Sequence, residues 1–127
     1  MSIVSAFVKE DRRAFRRMLD DYVPRDYTPP ANPRILNIGC GSCLEANVLS
    51  SYFGKMPDGC DSENVTLIGI DINKAEIEKA RGLWKDPDYS KGYTSCADNS
   101  NYRFIHGNAR KLTELVEGRF DIIVARH

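Results

Sequence analysis

The sequence has no surplus of charge. Its 18 Lys and Arg face 18 Asp and Glu, a formal net charge of +0, so no overall field draws the chain to nucleic acid or to an anionic membrane. The basic cluster Arg12, Arg13, Arg16 and Arg17 is interleaved with Glu10, Asp11, Asp20 and Asp21. It reads as a solvated helix face laced with i, i+4 pairs such as Arg16 with Asp20. No apolar run approaches the ~20 residues of a membrane span, and the start of the chain lacks the basic opening and apolar stretch of a secretion signal. A cytoplasmic protein is expected. No internal repeat appears at the periods that mark solenoids, and 127 residues leave room for one core but not two. Cysteines number four, Cys40, Cys43, Cys60 and Cys96. Without a secretion signal, and beside apolar strands, they are expected as reduced thiols.

What is present is an alternation of helix and strand patterns. Residues 5–22 carry Phe7, Val8, Phe15, Met18, Leu19 and Tyr22 at helical spacing, which predicts an amphipathic helix with one buried stripe, ended by Pro24. Residues 25–33 hold three prolines and read as an extended connection. Residues 34–38 form an apolar first strand that breaks into Gly39-Cys40-Gly41. A helix is expected over residues 43–53, with Leu44, Val48, Leu49, Tyr52 and Phe53 on one face and Gly54 as its stop. After a polar loop, residues 65–70 give a second strand with Asp71 at its carboxyl end. Asn73 and Glu76 make a capping-box pattern for a helix that turns Ile77, Ala80, Leu83 and Trp84 inward. Residues 85–101 are the longest loop, followed by a strand at 102–106, a short helix at 108–117 with Leu112, Leu115 and Val116, and a strand at 120–125. Near-continuous apolar strands alternating with helices predict an α/β fold with a parallel sheet buried by right-handed crossovers.

In an open parallel sheet, ligands bind beyond the carboxyl ends of the strands. That rule gathers Gly39 to Gly41, Asp71, Gly107 with Asn108 and Ala109, and Arg126 with His127. Glycines let backbone N–H groups approach a ligand closely, and a carboxylate at Asp71 can accept two hydrogen bonds from a ribose diol; otherwise Asp71 serves as a helix cap. The dinucleotide fingerprint requires glycine at position 44, where this chain has Leu44, so NAD is disfavoured.

Four ordered segments resemble the class I, Rossmann-like S-adenosylmethionine-dependent methyltransferases: Ile35-Leu-Asn-Ile-Gly-Cys-Gly, Leu67-Ile-Gly-Ile-Asp-Ile, Phe104-Ile-His-Gly-Asn-Ala and Phe120-Asp-Ile-Ile-Val-Ala. The resemblance implies a Rossmann-like three-layer sandwich in incomplete form, about four parallel strands in the order 3-2-1-4 with flanking helices and an N-terminal helix. It implies S-adenosylmethionine as cofactor, with Asn37, Gly39, Cys40 and Gly41 at its methionine end, Asp71 and Ile72 at its ribose, and Asn108 and Ala109 at its adenine. Asn37 stands where the family has an acid, Cys43 where it frequently has a third glycine, and Asn108 where it usually has aspartate; an amide oxygen at Asn108 can still accept the adenine N–H. The expected division is residues 1–33 as helix and connection and 34–127 as the cofactor-binding domain. The expected function is the cofactor-binding portion of a methyltransferase, inactive alone because the substrate half is missing, with no catalytic residue assigned.

Three rival readings stand beside it. Cys40-Gly-Ser-Cys43 spells C-x-x-C at a helix start, where a thiol pKa falls, as in thioredoxin-like redox sites, yet no proline follows Pro87 to supply their cis-proline. A zinc site would need a second close cysteine pair, which Cys60 and Cys96 do not make, so no metal is expected. A non-catalytic module that self-associates through the open edge of the fourth strand would bury the face left bare there, giving a homo-oligomer. His106 is expected as a packed or hydrogen-bonded residue rather than a base.

Overall fold

The computed structural model describes residues 3–57, 62–85 and 101–125, with side chains described from Arg12 onward and up to Trp84 in the third helix. The expectations for Phe7, Val8, Cys60, Cys96, residues 86–100, Arg126 and His127 lie outside the described residues.

The architecture follows from the apolar runs. β1 (Arg34–Ile38), β2 (Thr66–Asp71), β3 (Tyr102–His106) and β4 (Ile122–Ala125) form one parallel sheet in the order β3-β2-β1-β4, the Rossmann-like order expected. β1 lies at the centre, with Leu36 opposite both Ile68 of β2 and Ile123 of β4. Ile35 and Leu36 have no exposed surface. Each full burial of such a side chain contributes about 1.5–3 kcal/mol, and the neighbouring interior strand β2 adds Leu67 and Ile70, at 0% and 1% exposure.

Alternation along the strands divides the core in two. On one side Ile35, Val65, Leu67 and Phe104 pack with α1 (Ile3–Tyr22) through Phe15 and Leu19, with α2 (Ala46–Phe53) through Val48, Leu49 and Phe53, and with α3 (Lys74–Lys85) through Ile77, Ala80, Leu83 and Trp84. On the other side Leu36, Ile68 and Ile70 are covered by Leu112 and Leu115 of α4 (Leu112–Leu115) together with Val116 and Phe120. That cover stops short of β4, where Ile123 is 60% exposed.

The structure corrects several boundaries. Tyr22, expected on the buried stripe of α1, is 81% exposed, while the next residue, Val23, packs against the core in its place. α2 begins at Ala46 rather than residue 43, since Cys43 adopts φ +54°, outside the right-handed helical region. It is not amphipathic: Asn47, Ser50 and Ser51 are buried along with its apolar residues, and the Ser50 hydroxyl accepts the Ser62 N–H at 2.8 Å. The capping box at α3 is half formed. Asn73 Oδ1 accepts the Glu76 N–H at 3.3 Å, but the Asn73 N–H goes to Asp71 Oδ1 at 2.8 Å instead of to Glu76. The helix expected over 108–117 is a 3-10 turn at Ala109–Lys111 followed by the single turn of α4, which ends where Val116 turns extended. β4 starts at Ile122 rather than residue 120, because Phe120 turns under the Arg34 guanidinium, 4.7 Å from ring centre to carbon.

Candidate functional site

At the carboxyl end of β1 the chain turns through residues 39–43, and three of them have positive φ: Gly39 at 71°, Gly41 at 58° and Cys43 at 54°. The glycines adopt this conformation without steric cost, whereas Cys43 carries a Cβ into it at a cost of about 1 kcal/mol. Position 43 is therefore where a third glycine would relieve the backbone.

Hydrogen bonds tie this turn to the neighbouring strand ends. The N–H groups of Gly39 and Cys40 both donate to Ile70 O, at 2.8 and 3.1 Å. Asp71, half-buried at the end of β2, accepts the Gly41 N–H through Oδ2 at 2.8 Å. Its other oxygen holds the Asn73 N–H, so Asp71 clasps turn and helix entry together, while the N-cap of α3 is Asn73. The Gly107 N–H donates to Asp71 O at 3.0 Å, and His106 Nε2 donates to Ile72 O at 3.0 Å, which binds the end of β3 to the same place. His106 is hydrogen-bonded as expected, although exposed rather than packed. Ile72 stands 71% exposed above this junction. The edge of Gly41 faces acidic oxygen on a second side: a Cβ there would lie 3.7 Å from Glu76 Oε2.

Asn37 lies beneath the turn, not on its surface. It is fully buried, its Nδ2 donates to Glu45 Oε1 at 2.9 Å and meets Cys43 Sγ at 3.5 Å, and its Oδ1 has no hydrogen-bond partner among the described residues. The sequence reading did not single out Glu45, which is only 4% exposed. A charged residue opening the helix Ala-Asn-Val-Leu-Ser-Ser-Tyr-Phe was its one signal, and the pairing with Asn37 exists only in three dimensions. Trp84 was read as core alone, but its indole N–H also donates to Cys43 O at 3.1 Å and holds the turn from α3.

Asn108 and Ala109 lie at the end of β3. Asn108 is exposed, and its Oδ1 accepts the Arg110 N–H at 3.0 Å as the cap of the 3-10 turn, so one of its two acceptor positions is used. Asn37, Gly39, Cys40, Gly41, Asp71, Ile72, Asn108 and Ala109 are thus gathered at one end of the sheet, with Asn37 and the Cys40 side chain buried below and the others around the rim.

Cys40 and Cys43 are buried free thiols. The neighbouring Cys40 thiol, burial and the nearby Glu45 carboxyl group together push the Cys43 thiol well above its usual pKa. The lowering expected at a helix start is not seen at Cys43, which precedes α2 instead of opening it. Among the described residues no group of three or more His, Cys, Asp and Glu side chains is arranged to hold a metal.

Residues 30–127 match the family model described as "Methyltransferase domain". Among solved structures, the chain is similar to an arsenic(III) S-adenosylmethionine methyltransferase from Chlamydomonas reinhardtii (TM-score 0.55, 22% identity, 87% of this chain and 38% of that one). It is also similar to the YcgJ protein from Bacillus subtilis (TM-score 0.54, 24% identity, 93% and 38%) and to PKMT2 from Rickettsia typhi in complex with AdoHcy (TM-score 0.52, 22% identity, 76% and 15%). These likenesses establish the fold, and the chain spans 15–38% of the length of those three structures. Among curated proteins, none matches it.

Proposed function

We propose, from the premise that this chain belongs to the methyltransferase-domain family, that it binds S-adenosylmethionine at the carboxyl ends of β1, β2 and β3 and serves as the cofactor-binding portion of a methyltransferase. The observation that carries the reading is Asp71. Each of its oxygens holds one backbone N–H at 2.8 Å, and a carboxylate has about four acceptor positions, so one per oxygen remains for the two hydroxyls of a ribose. The bonds to Gly41 and Asn73 fix the carboxylate before any ligand arrives, which lowers the ordering cost of binding.

Around it, the positive-φ turn at Gly39, Cys40 and Gly41 takes the methionine end, with Asn37 and Glu45 supporting the turn from below. The exposed Ile72 side chain offers an apolar surface to the adenosyl group, and Asn108 retains one acceptor position and its amide N–H groups for the adenine edge, beside Ala109. When bound, the cofactor supplies a sulfonium methyl open to in-line attack by a nucleophile, so the task of these residues is positioning. We assign the domain to residues 34–127, in keeping with a family match that starts at residue 30, and α1 with its connection to residues 1–33.

Calorimetric titration with S-adenosylmethionine and S-adenosylhomocysteine tests the proposal. Saturable binding of both is expected, and Asp71→Ala weakens it by about 1–3 kcal/mol through loss of the charge-assisted ribose bonds. Absence of binding by the folded chain overturns the reading, and binding of NAD in their place restores the dinucleotide alternative. We extend the proposal to association of two copies along β4, where the exposed Ile123 marks the less covered end of the sheet. A monomer at high concentration in sedimentation velocity refutes that extension.

A further inference from the structure

The C-x-x-C segment is the one motif that cofactor binding leaves without a role for its side chains, and its geometry is specific. The Cys43 N–H donates to Cys40 O at 2.9 Å, closing a four-residue turn whose end Cα atoms lie within about 7 Å. Disulfides span Cα separations up to about 6.8 Å, so backbone movement is not what limits a bridge here. Both side chains lie in the same buried cluster, on the inner side of that turn. Room for the Cys40 sulfur is made by Gly69 in β2, where a Cβ would come within 2.8 Å of Cys40 Sγ and 3.1 Å of the Phe104 ring. Burial, at 5% exposure for Cys40 and 1% for Cys43, restricts access to small oxidants and shields the pair from bulky disulfides.

We propose that Cys40 and Cys43 are a modification site, a dithiol that a small peroxide converts into a reversible disulfide and that thereby loosens the turn over Asp71. The balance is two thiols plus hydrogen peroxide giving one disulfide and two waters. Cys40, the less buried sulfur, attacks one peroxide oxygen as its thiolate; the O–O bond breaks, hydroxide leaves and takes up that thiol's proton as the first water, and Cys40 becomes a sulfenic acid. Cys43, in the same buried cluster, then attacks that sulfur; the S–O bond breaks, the S–S bond forms, and the Cys43 proton leaves with the hydroxyl as the second water. The raised thiol pKa of Cys43 fits the resolving role, in which it keeps its proton until the second step.

The consequence follows from what the sulfurs hold. Drawing the two sulfurs to the ~2.05 Å of an S–S bond removes the Cys40 S–H from Gly41 O, now at 3.4 Å, and draws Cys43 Sγ from Asn37 Nδ2, now at 3.5 Å. Gly41 is the residue whose N–H is clasped by Asp71, so the crosslink acts directly on that clasp. Its effect on the cofactor rests on the reading of the site given above.

The test uses the full chain carrying Cys60→Ser and Cys96→Ser, so that Cys40 and Cys43 are its only thiols. After hydrogen peroxide and alkylation, peptide mass mapping is expected to show the peptide of residues 40 and 43 two hydrogens lighter and unalkylated, with dithiothreitol restoring both thiols. Adding Cys43→Ser is expected to abolish the bridge and leave Cys40 to accumulate as sulfenic acid trapped by dimedone. Hydrogen exchange at the Gly41 amide is expected to quicken about tenfold in the bridged form, with a similar weakening of S-adenosylhomocysteine binding. Two free thiols after peroxide, direct passage to sulfinic acid, or a bridge that leaves Gly41 exchange unchanged each overturns the proposal. A reduced protein that binds no S-adenosylhomocysteine counts against the cofactor reading instead, because mass and exchange report on the dithiol without it.

Discussion

Replacing Asp71 by asparagine separates a structural clasp from a passive surface carboxylate. The carboxylate accepts two backbone donors at once, the part-buried Gly41 N–H and the exposed Asn73 N–H, both at 2.8 Å. An amide has one acceptor oxygen and one donor group, so Asp71→Asn can serve only one of them. The oxygen is expected to turn to Gly41, whose N–H has less water to fall back on, leaving Asn73 to solvent. The loss is then the charge assistance of one bond plus an exposed second bond, about 1–2 kcal/mol in the ligand-free protein. Asp71→Ala leaves both donors without their partner and is expected to cost about 2–3 kcal/mol. For a chain of this size each kcal/mol corresponds to roughly 3–5 °C in Tm. Urea unfolding followed by circular dichroism gives the values, and the order expected is parent, then Asn, then Ala. If both variants lie within about 0.5 kcal/mol of the parent, as surface substitutions do, the clasp contributes nothing and the reasoning fails.

Trp84→Phe keeps a ring near Tyr102, whose centre lies 5.3 Å away at 90°, but deletes the indole bond to Cys43 O; a loss of about 2 kcal/mol is expected in denaturant unfolding, and an unchanged midpoint refutes the tie. Arg34 donates to Arg119 O at 2.8 Å and Glu117 O at 3.1 Å while stacking on Phe120. Arg34→Met is expected to cost about 1–2 kcal/mol and to quicken amide exchange in β4, and Arg34→Lys is expected not to rescue it, because an ammonium cannot serve both carbonyls and the ring; full rescue by lysine refutes the fork geometry. Burial, and then the charge and hydrogen bond of Asp20, raise the Tyr52 pKa above its usual value, with Arg16 opposing them. A folded-state pKa above the unfolded one gives stability that is present below about pH 10 and lost as pH rises through the folded value. Tyr52→Phe should therefore flatten the fall in stability as pH rises above about 10, and parallel falls in parent and variant refute it.

The apolar runs Ile35–Ile38, Leu67–Ile70 and Ile122–Val124 are too short for helices and too continuous for one-sided strands, and the patterns between them have helical period, so a parallel sheet with crossovers followed from composition along the chain alone. The turn after β1 and the carboxylate after β2 were equally legible, because glycines and an acid at strand ends are local signals. Helix starts were less so. The 43–53 pattern continues smoothly through Cys43, but the turn closed on Cys40 and held by Trp84 places residue 43 at φ +54° and delays α2 to Ala46; that decision belongs to contacts 41 residues apart in the chain.

The sequence by itself therefore determined the alternation of elements and the end of the sheet at which polar groups collect, since these depend on periodicity and on residues next to one another. Tertiary structure alone decided what each polar group is bonded to. Only there does Asp71 become a clasp on Gly41, Glu45 meet Asn37 beneath the turn, and the Cys40 sulfur settle in the space Gly69 leaves. The physical reason is that a buried polar atom takes its partner from whatever the fold brings within about 3 Å, and sequence distance carries no record of that neighbour.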